Sequence, residues 1–303
     1  GGDARDFWES AACLRRIAAE LRDAGTFRPE VAFLVDEEAV HCLRATTWPI
    51  LKQSLHLWRA ELDRIGCPVG YYLQSDLERL PDSVKVLILA NAYQLEEEER
   101  QAVAAFVAEG GTAVWVYAPD IIGPRGPDVC RIRECTGFDI AARFDTVPLE
   151  ILETTSNKKH QINTNNWQPR FVVAPQDEGF EVLAKYTQTD EILAAARKAG
   201  PGVVVYTAAP RLSAELLRTI CRRSGVHLYR DTPGMTGVVG PYLVVHTAPA
   251  SAEGKVHHLA WPGPWTDFRR LLPPDPLAFP RSPEEPVLET LPGRTTAIYR
   301  VEP

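Results

Sequence analysis

Apolar residues in the first 120 positions alternate between short unbroken runs and longer stretches in which they recur every three or four residues. Runs with the length and composition of strands buried on both faces occur at 31–35, 70–74, 84–91 and 112–118. Periodic stretches that predict amphipathic helices occur at 6–25, 48–65 and 96–109. The order helix, strand, helix, strand, strand, helix, strand predicts an α/β fold with a doubly wound, mostly parallel sheet.

The pattern changes twice in the remainder of the chain. Glycines and prolines at 123–127 predict a loop, residues 128–136 a short helix, and the polar stretch 156–169 an exposed excursion. Further strands are predicted at 180–186 and 202–209, followed by a helix at 213–223. From about residue 227 no helical period survives, and 13 of the 25 prolines lie in residues 231–303. Short strands at 242–247, 256–260 and 296–301 there predict a small antiparallel β domain.

These changes of pattern predict three parts. Residues 1–26 are a helix or linker from an upstream domain, residues 27–229 the α/β domain, and residues 230–303 the β domain. The chain opens Gly-Gly-Asp, and its only methionine is Met235, so we expect it to be an excised piece with further residues upstream.

Charge and hydropathy exclude two classes of partner. The chain has 33 basic and 40 acidic residues and a formal net charge of −7, without a Lys/Arg-rich run, so a nucleic-acid surface is not expected. No apolar run approaches the roughly 18 residues of a membrane helix. The six cysteines (13, 42, 67, 130, 135 and 221) lack CxxC spacing. Most of them are predicted to be buried thiols, which favours a cytoplasmic location, and neither a metal nor a redox pair is expected.

Candidate catalytic residues are sought just after the strands, because doubly wound sheets bind ligands at the carboxyl ends of their strands. Asp36 and Asp120 follow two of them and form a candidate carboxylate pair for acid/base or metal work. The four glutamates Glu96–Glu99 are better explained as the first turn of a helix, where negative charge suits the macrodipole. The chain has no GxGxxG, GxxxxGK[ST] or GxSxG motif. We therefore expect no nucleotide cofactor and no covalent hydrolase of that type.

The segment around Trp261 and Trp265 suggests a second kind of site. Paired aromatic rings can stack on sugars, and Trp167 is a further candidate. Covering a small β core is the interpretation we favour for Trp261 and Trp265. The neighbouring His257 and His258 point to opposite faces if they lie in a strand, so they cannot jointly chelate a metal.

Residues 31 to about 229 resemble the glutamine-amidotransferase-like α/β domain that follows the catalytic barrel in family 42 glycoside hydrolases, the β-galactosidases. The resemblance rests on the order and spacing of several segments. In the α/β part these are Val31-Ala-Phe-Leu-Val-Asp36, Val86-Leu-Ile-Leu-Ala-Asn-Ala-Tyr93, Phe106-Val-Ala-Glu-Gly-Gly-Thr112, Tyr206-Thr-Ala-Ala-Pro210 and Gly225-Val-His-Leu-Tyr229. The tail is similar to the closing β domain of those proteins, with Leu243-Val-Val-His246 and Thr266-Asp-Phe268.

The resemblance implies where activity lies. Amidotransferases carry a nucleophilic cysteine after a central strand, but the corresponding stretch here reads Trp115-Val-Tyr-Ala-Pro-Asp-Ile-Ile-Gly123. Glutaminase activity is therefore disfavoured. Family 42 hydrolysis uses two glutamates on a (β/α)₈ barrel of about 250 residues, for which this chain has no room.

Three hypotheses follow. The leading one is a non-catalytic C-terminal portion of a large glycoside hydrolase that packs on its own missing barrel. In family 42 the equivalent domain forms trimer contacts, so a homo-oligomer is implied, with the apolar seam of Trp48, Leu51, Leu55 and Trp58 as a possible source of the interface. The alternatives are a carbohydrate-binding module that uses the tryptophans, and a standalone amidotransferase-like enzyme that uses Asp36 and Asp120.

Overall fold

The computed structural model describes residues 2–22, 28–42, 48–162, 169–247, 255–273, 287–291 and 294–302. The helices in these ranges are α1 (Gly2–Leu21), α2 (Trp48–Leu51), α3 (Trp58–Leu62), α4 (Glu97–Ala108), α5 (Cys130–Thr136) and α6 (Ala214–Arg223). A π-helix, Lys52–Leu57, joins α2 to α3, and 3₁₀ helices span Glu38–Cys42 and Gln74–Arg79.

Strands account for most of the remaining regular structure. They are β1 (Val31–Val35), β2 (Val69–Leu73), β3 (Val86–Leu89), β4 (Thr112–Val116), β5 (Ile122–Gly123), β6 (Gly126–Pro127), β7 (Ile140–Arg143), β8 (Glu150–Glu153), β9 (Lys159–Gln161), β10 (Arg170–Val173), β11 (Glu181–Tyr186), β12 (Ile192–Ala199), β13 (Gly202–Thr207), β14 (Met235–Val239), β15 (Tyr242–His246), β16 (Lys255–Leu259), β17 (Asp267–Leu272), β18 (Val287–Leu291) and β19 (Thr296–Glu302).

The chain divides into two compact units. The first, which we call the α/β unit, comprises Glu30–Leu62 and Val69–Val226. The second, the β unit, comprises Gly1–Pro29, Asp63–Pro68 and His227–Pro303. Helix α1 and the short segment before β2 therefore group with the C-terminal strands. The predicted α/β class and the separate antiparallel region are both present.

The α/β unit contains a mixed sheet whose first half is parallel. Its strand order is β2-β1-β3-β4-β13, and every neighbouring pair in this half runs parallel. Strands β3 and β4 are buried on both faces, as their unbroken apolar runs predict. Because β2 and β3 lie on opposite sides of β1, the strand order reverses between β1 and β3.

The second half of the sheet is antiparallel and was not fully predicted. It continues from β13 through β12, β11 and β8 to β9, while β10 pairs with β12 and with β7. Strand β12 reads Ile-Leu-Ala-Ala-Ala-Arg-Lys-Ala, a composition rich in helix formers. Pairing with β13 over Ala194–Ala199 overrides that local preference. The stretch 156–169 was predicted to be an exposed excursion. It contains β9, which is a mostly exposed edge strand, while residues 163–168 lie outside the described residues.

Helices cover both faces of the sheet. Neighbouring residues of a strand point to opposite faces. Val204 lies in the groove lined by α4 and α5. Val203 and Val205 lie in the groove lined by α6. The doubly wound arrangement follows from this alternation.

The apolar seam predicted over 48–65 is used inside the α/β unit. Trp58 has no exposed surface and packs edge to face on Phe33 of β1, with ring centroids 5.6 Å apart. Leu51 and Leu62 are also buried, and Leu55 is half-buried. Burial within the unit therefore accounts for Trp58, so a Trp58→Glu variant would test the core and not an interface. The side chain of Trp48 lies outside the described residues.

The β unit consists of three layers. A four-stranded antiparallel sheet, β14-β15-β19-β17, faces the pair β16–β18 across a core that includes Leu243, Trp265 and Tyr299. On the opposite face of the four-stranded sheet, Tyr242 and Ile298 pack against helix α1. The alternation of side chains along β15 and β19 thus fills two separate cores.

Candidate functional site

A cavity of about 330 Å³ lies at the carboxyl ends of β1, β2 and β3. Open α/β sheets place their ligands where the strand order reverses, which here is between β1 and β3. Asp36, His41, Gln74 and Glu99 are among the lining residues, together with further carboxylates. The cavity is therefore electronegative, and it contains one of the two carboxylates predicted from the sequence.

Asp36 is held in place by its neighbours. Its backbone N–H donates to Oδ1 of Asn91 (2.9 Å), and Nδ2 of Asn91 donates to its carbonyl oxygen (2.8 Å). This exchange ties the end of β1 to Asn91, two residues beyond the end of β3. The Asp36 carboxylate accepts the N–H of Glu38 at 2.9 Å. Partial burial raises the pKa of Asp36, and the charges of Glu99 and Glu38 add to the rise, against hydrogen bonds from the backbone of Glu38 and Ala39.

The glutamate run forms the beginning of α4. Glu96 is the N-cap, and its N–H donates to Oε2 of Glu99 at 2.9 Å in a capping box. Nε2 of Gln74 donates to the same oxygen at 2.9 Å. Hydrogen bonds from Gln101 and Arg100 lower the pKa of Glu97. Within the described ranges, no group of three or more His, Cys, Asp or Glu side chains is arranged to hold a metal ion.

Asp120 is fully buried and paired with two arginines. Its Oδ2 accepts Nη1 of Arg100 (2.9 Å) and Nη2 of Arg131 (2.8 Å), and its Oδ1 accepts the N–H of Leu95 (3.0 Å). These bonds join the loop after β4 to α4 and α5. The residue has a left-handed φ of 53°, a conformation that Asp tolerates better than most residues. Asp120 and Asp36 therefore have different surroundings, and the geometry of Asp120 is that of a structural ion pair.

Tyr117 follows β4 directly. Its φ is 64°, an uncommon value for a residue other than glycine. The phenol donates to the carbonyl oxygen of Pro169 at 2.7 Å, and burial raises its pKa far above 10. The strained turn after β4 thus presents a buried, protonated phenol, which is a poor nucleophile.

The two tryptophans of the tail have different positions. Trp265 is 6% exposed and belongs to the core of the β unit, packed on Phe268. Trp261 is half-buried, and its ring contacts Tyr229 edge to face at 5.6 Å. His257 is 4% exposed whereas His258 is 54% exposed, so the two histidines do point to opposite faces. Trp167 lies outside the described residues.

Two groups of polar or aromatic residues were not predicted. In the α/β unit, the buried Glu153 accepts Ser213 and Ser156, and Nε2 of His160 lies 3.3 Å from its Oε1. The carboxylate stands between serine and histidine, so the histidine is not placed to activate the serine. In the β unit, His227 and Tyr229 extend the contact made by Trp261. For the second group, the alternation of side chains along residues 227–231 was a signal in the sequence. The segment with which these residues pair lies far away in the sequence, so the group itself could not be predicted.

Comparison with known proteins identifies solved structures that share the fold of this chain. Neither a protein-family model nor a curated protein matches the chain. No helix among the described residues is long and apolar enough to cross a membrane. Solved structures do match, with probability 1.00 in each case cited below.

The β-galactosidase from Bacillus circulans sp. alkalophilus has a TM-score of 0.59 at 19% identity, over 90% of this chain and 41% of that chain. Gan42B, a GH42 β-galactosidase from G. stearothermophilus, has a TM-score of 0.59 at 16% identity, over 92% and 41%. The α-L-fucosidase isoenzyme 2 from Paenibacillus thiaminolyticus has a TM-score of 0.51 at 14% identity, over 90% and 48%. This chain therefore has a fold that is also found in these enzymes, and it spans less than half of their length.

Proposed function

We propose that this chain is the non-catalytic, C-terminal portion of a larger glycoside hydrolase, in which it packs on the catalytic barrel and contributes to oligomer contacts. The observation that carries the proposal is the asymmetry of coverage: 90–92% of this chain matches only 41% of two β-galactosidases. A fucosidase that shares the fold supports the same view, because one common portion accompanies two different sugar specificities.

The arrangement of Asp120 argues against the standalone-enzyme alternative. A catalytic carboxylate needs access to substrate, whereas Asp120 is fully buried and its oxygens are occupied by Arg100, Arg131 and the backbone of Leu95. Asp36 does line a cavity, but the neighbouring charges that act on its pKa are carboxylates.

Exposed apolar residues at the edge of the sheet support an oligomer contact. Strand β2 is an edge strand, and Tyr71 and Leu73, each 43% exposed, share one of its faces. We call Tyr71 and Leu73 the edge patch.

The test compares the 303-residue chain with the protein encoded by its whole reading frame. We expect the whole protein to hydrolyse an aryl β-D-galactoside or a related aryl glycoside, and the chain alone to be inactive. In the whole protein, Leu73→Glu should shift light scattering toward the monomer, while the control Leu14→Glu, at an exposed position of α1, should not. Hydrolysis by the isolated chain, or a reading frame without further domains, would overturn the proposal.

A further inference from the structure

The outer face of the β unit carries aromatic and hydrogen-bonding side chains next to one another. Arg230 forms a bridge with Leu259 of β16, and both side chains are buried. The neighbouring residues of these segments therefore point outward. Hydrogen bonds continue the pairing on both sides, from Ala260 N–H to the Tyr229 carbonyl oxygen (2.9 Å) and from Asp231 N–H to the His258 carbonyl oxygen (3.1 Å). Tyr229, Asp231 and His258 thus share one face.

Three aromatic rings lie in a row beside these residues. Trp261 contacts Tyr229 edge to face at 5.6 Å, and Tyr229 contacts His227 at 4.6 Å with an interplanar angle of 86°. All three residues are half-buried, so each retains some exposed surface. Tyr229 and Trp261 also pack against the core of the β unit, so the core-covering role expected from the sequence accounts for their buried part. The part of each residue that stays exposed is what remains open to a ligand.

Asp231 and His258 supply hydrogen-bonding groups on this face. Nε2 of His258 lies 3.8 Å from Oδ2 of Asp231, and the two side chains are 54% and 43% exposed. Tyr229 and Asp231 are two residues apart on an extended segment, or about 6.6 Å along it. In the adjacent strand Leu288 stands opposite His258, which widens the face with an exposed apolar side chain.

We infer that His227, Tyr229, Trp261, Asp231 and His258 form a carbohydrate-binding surface, which we call the aromatic platform. The ligand is a neutral oligosaccharide. Its C–H face is polarised to suit the negative face of an aromatic ring, and its hydroxyl groups can donate to the Asp231 carboxylate and accept from the His258 imidazole. The inference rests on the proposed function only in that the parent protein would act on sugars.

The experiment titrates the chain with β-1,4-galactobiose, cellobiose and maltose in the millimolar range, followed by tryptophan fluorescence and by saturation-transfer NMR of the sugar. We expect at least one disaccharide to bind. Trp261→Ala should weaken binding about tenfold or more, as loss of a central aromatic anchor does. Trp261→Phe keeps a ring and should bind between the two, and Asp231→Asn should also weaken binding.

Trp8→Ala is the matched control. Trp8 is 63% exposed and lies on α1, which packs on the opposite face of the four-stranded sheet. It should leave the affinity unchanged, and circular dichroism should show that every variant is folded. No response to any of the sugars, as expected if a protein partner covers this face, would overturn the inference, and so would equal binding by Trp261→Ala. The titration needs no catalytic barrel, so its failure is separate from a failure of the proposed function.

Discussion

Replacing Asp120 by Asn tests whether this carboxylate is a structural ion pair. Asn can keep the left-handed backbone of Asp120 (φ 53°) and can still accept the N–H of Leu95, so the substitution removes mainly the negative charge. Removing one partner of a buried pair costs about 3–5 kcal/mol. Arg100 and Arg131 are 26% and 19% exposed and can rehydrate in part. We therefore expect the lower end, about 3 kcal/mol.

The measurement is the free energy of unfolding from urea denaturation, followed by fluorescence and by circular dichroism. Because the chain has two compact units, the two signals must be compared before a two-state fit is used. Asp190→Asn is the matched control. Asp190 has a φ of 56°, its side chain is 82% exposed, and it lies 3.0 Å from Lys185. Loss of this surface pair should cost less than about 1 kcal/mol.

Equal losses in the two variants, or a loss below about 1 kcal/mol for Asp120→Asn, would refute the reasoning. The hypothesis of a standalone enzyme predicts a different result for the same variant. If Asp120 acted on a substrate, Asp120→Asn would abolish an activity while the free energy of unfolding stayed close to that of the parent chain.

Three further outcomes are expected. Trp58→Glu should destabilise the α/β unit by about 3–5 kcal/mol or more, because it removes a fully buried ring and buries a charge. The control Leu57→Glu should change the free energy of unfolding by no more than about 0.5 kcal/mol. Similar melting curves for the two variants would contradict this prediction. Gly202→Ala would place its Cβ 2.1 Å from the Val107 carbonyl oxygen and should lower the free energy of unfolding by about 3 kcal/mol. In the control Gly237→Ala the new Cβ has its nearest neighbour at 3.8 Å, so the free energy of unfolding from urea denaturation should be nearly unchanged. Burial raises the pKa of Asp36 above 3.8, so the folded state binds that proton more readily than the unfolded chain, and stability falls as pH rises from 3.8 to the raised value. Asp36→Asn should therefore be more stable than the parent chain at pH 7 and lose this gain below pH 3.8; a gain independent of pH would contradict the assignment.

The sequence predicted the elements whose hydrophobic pattern is local. Strands β3 and β4 are buried on both faces and read as unbroken apolar runs, and α4 and α6 show both a period and an end signal. Strand β12 escaped prediction because its alanines, arginine and lysine favour a helix in isolation. Its strand conformation comes from the hydrogen bonds of its partners, which lie elsewhere in the chain.

Candidate chemistry was predicted less completely than fold, since a residue type indicates a function only together with its surroundings. The sequence singled out Asp36, Asp120, Trp261 and Trp265 as equals. In the structure Asp36 lines a cavity, Asp120 is neutralised by two arginines, Trp265 fills a core, and Trp261 lies half-exposed. These four residues differ in burial and in their charged partners, and neither is a property of the residue alone.

The sequence by itself determined the α/β class, the antiparallel tail and the apolar helical seam, because the period of apolar residues is set by which face of each element avoids water. Only the tertiary structure decided that Arg100 and Arg131 converge on Asp120 and that His227, Tyr229 and Trp261 form one row. Those contacts join residues that are up to 32 positions apart and that meet only when strands and helices pack. Their free energy depends on distance and desolvation, and both are fixed only in the folded chain.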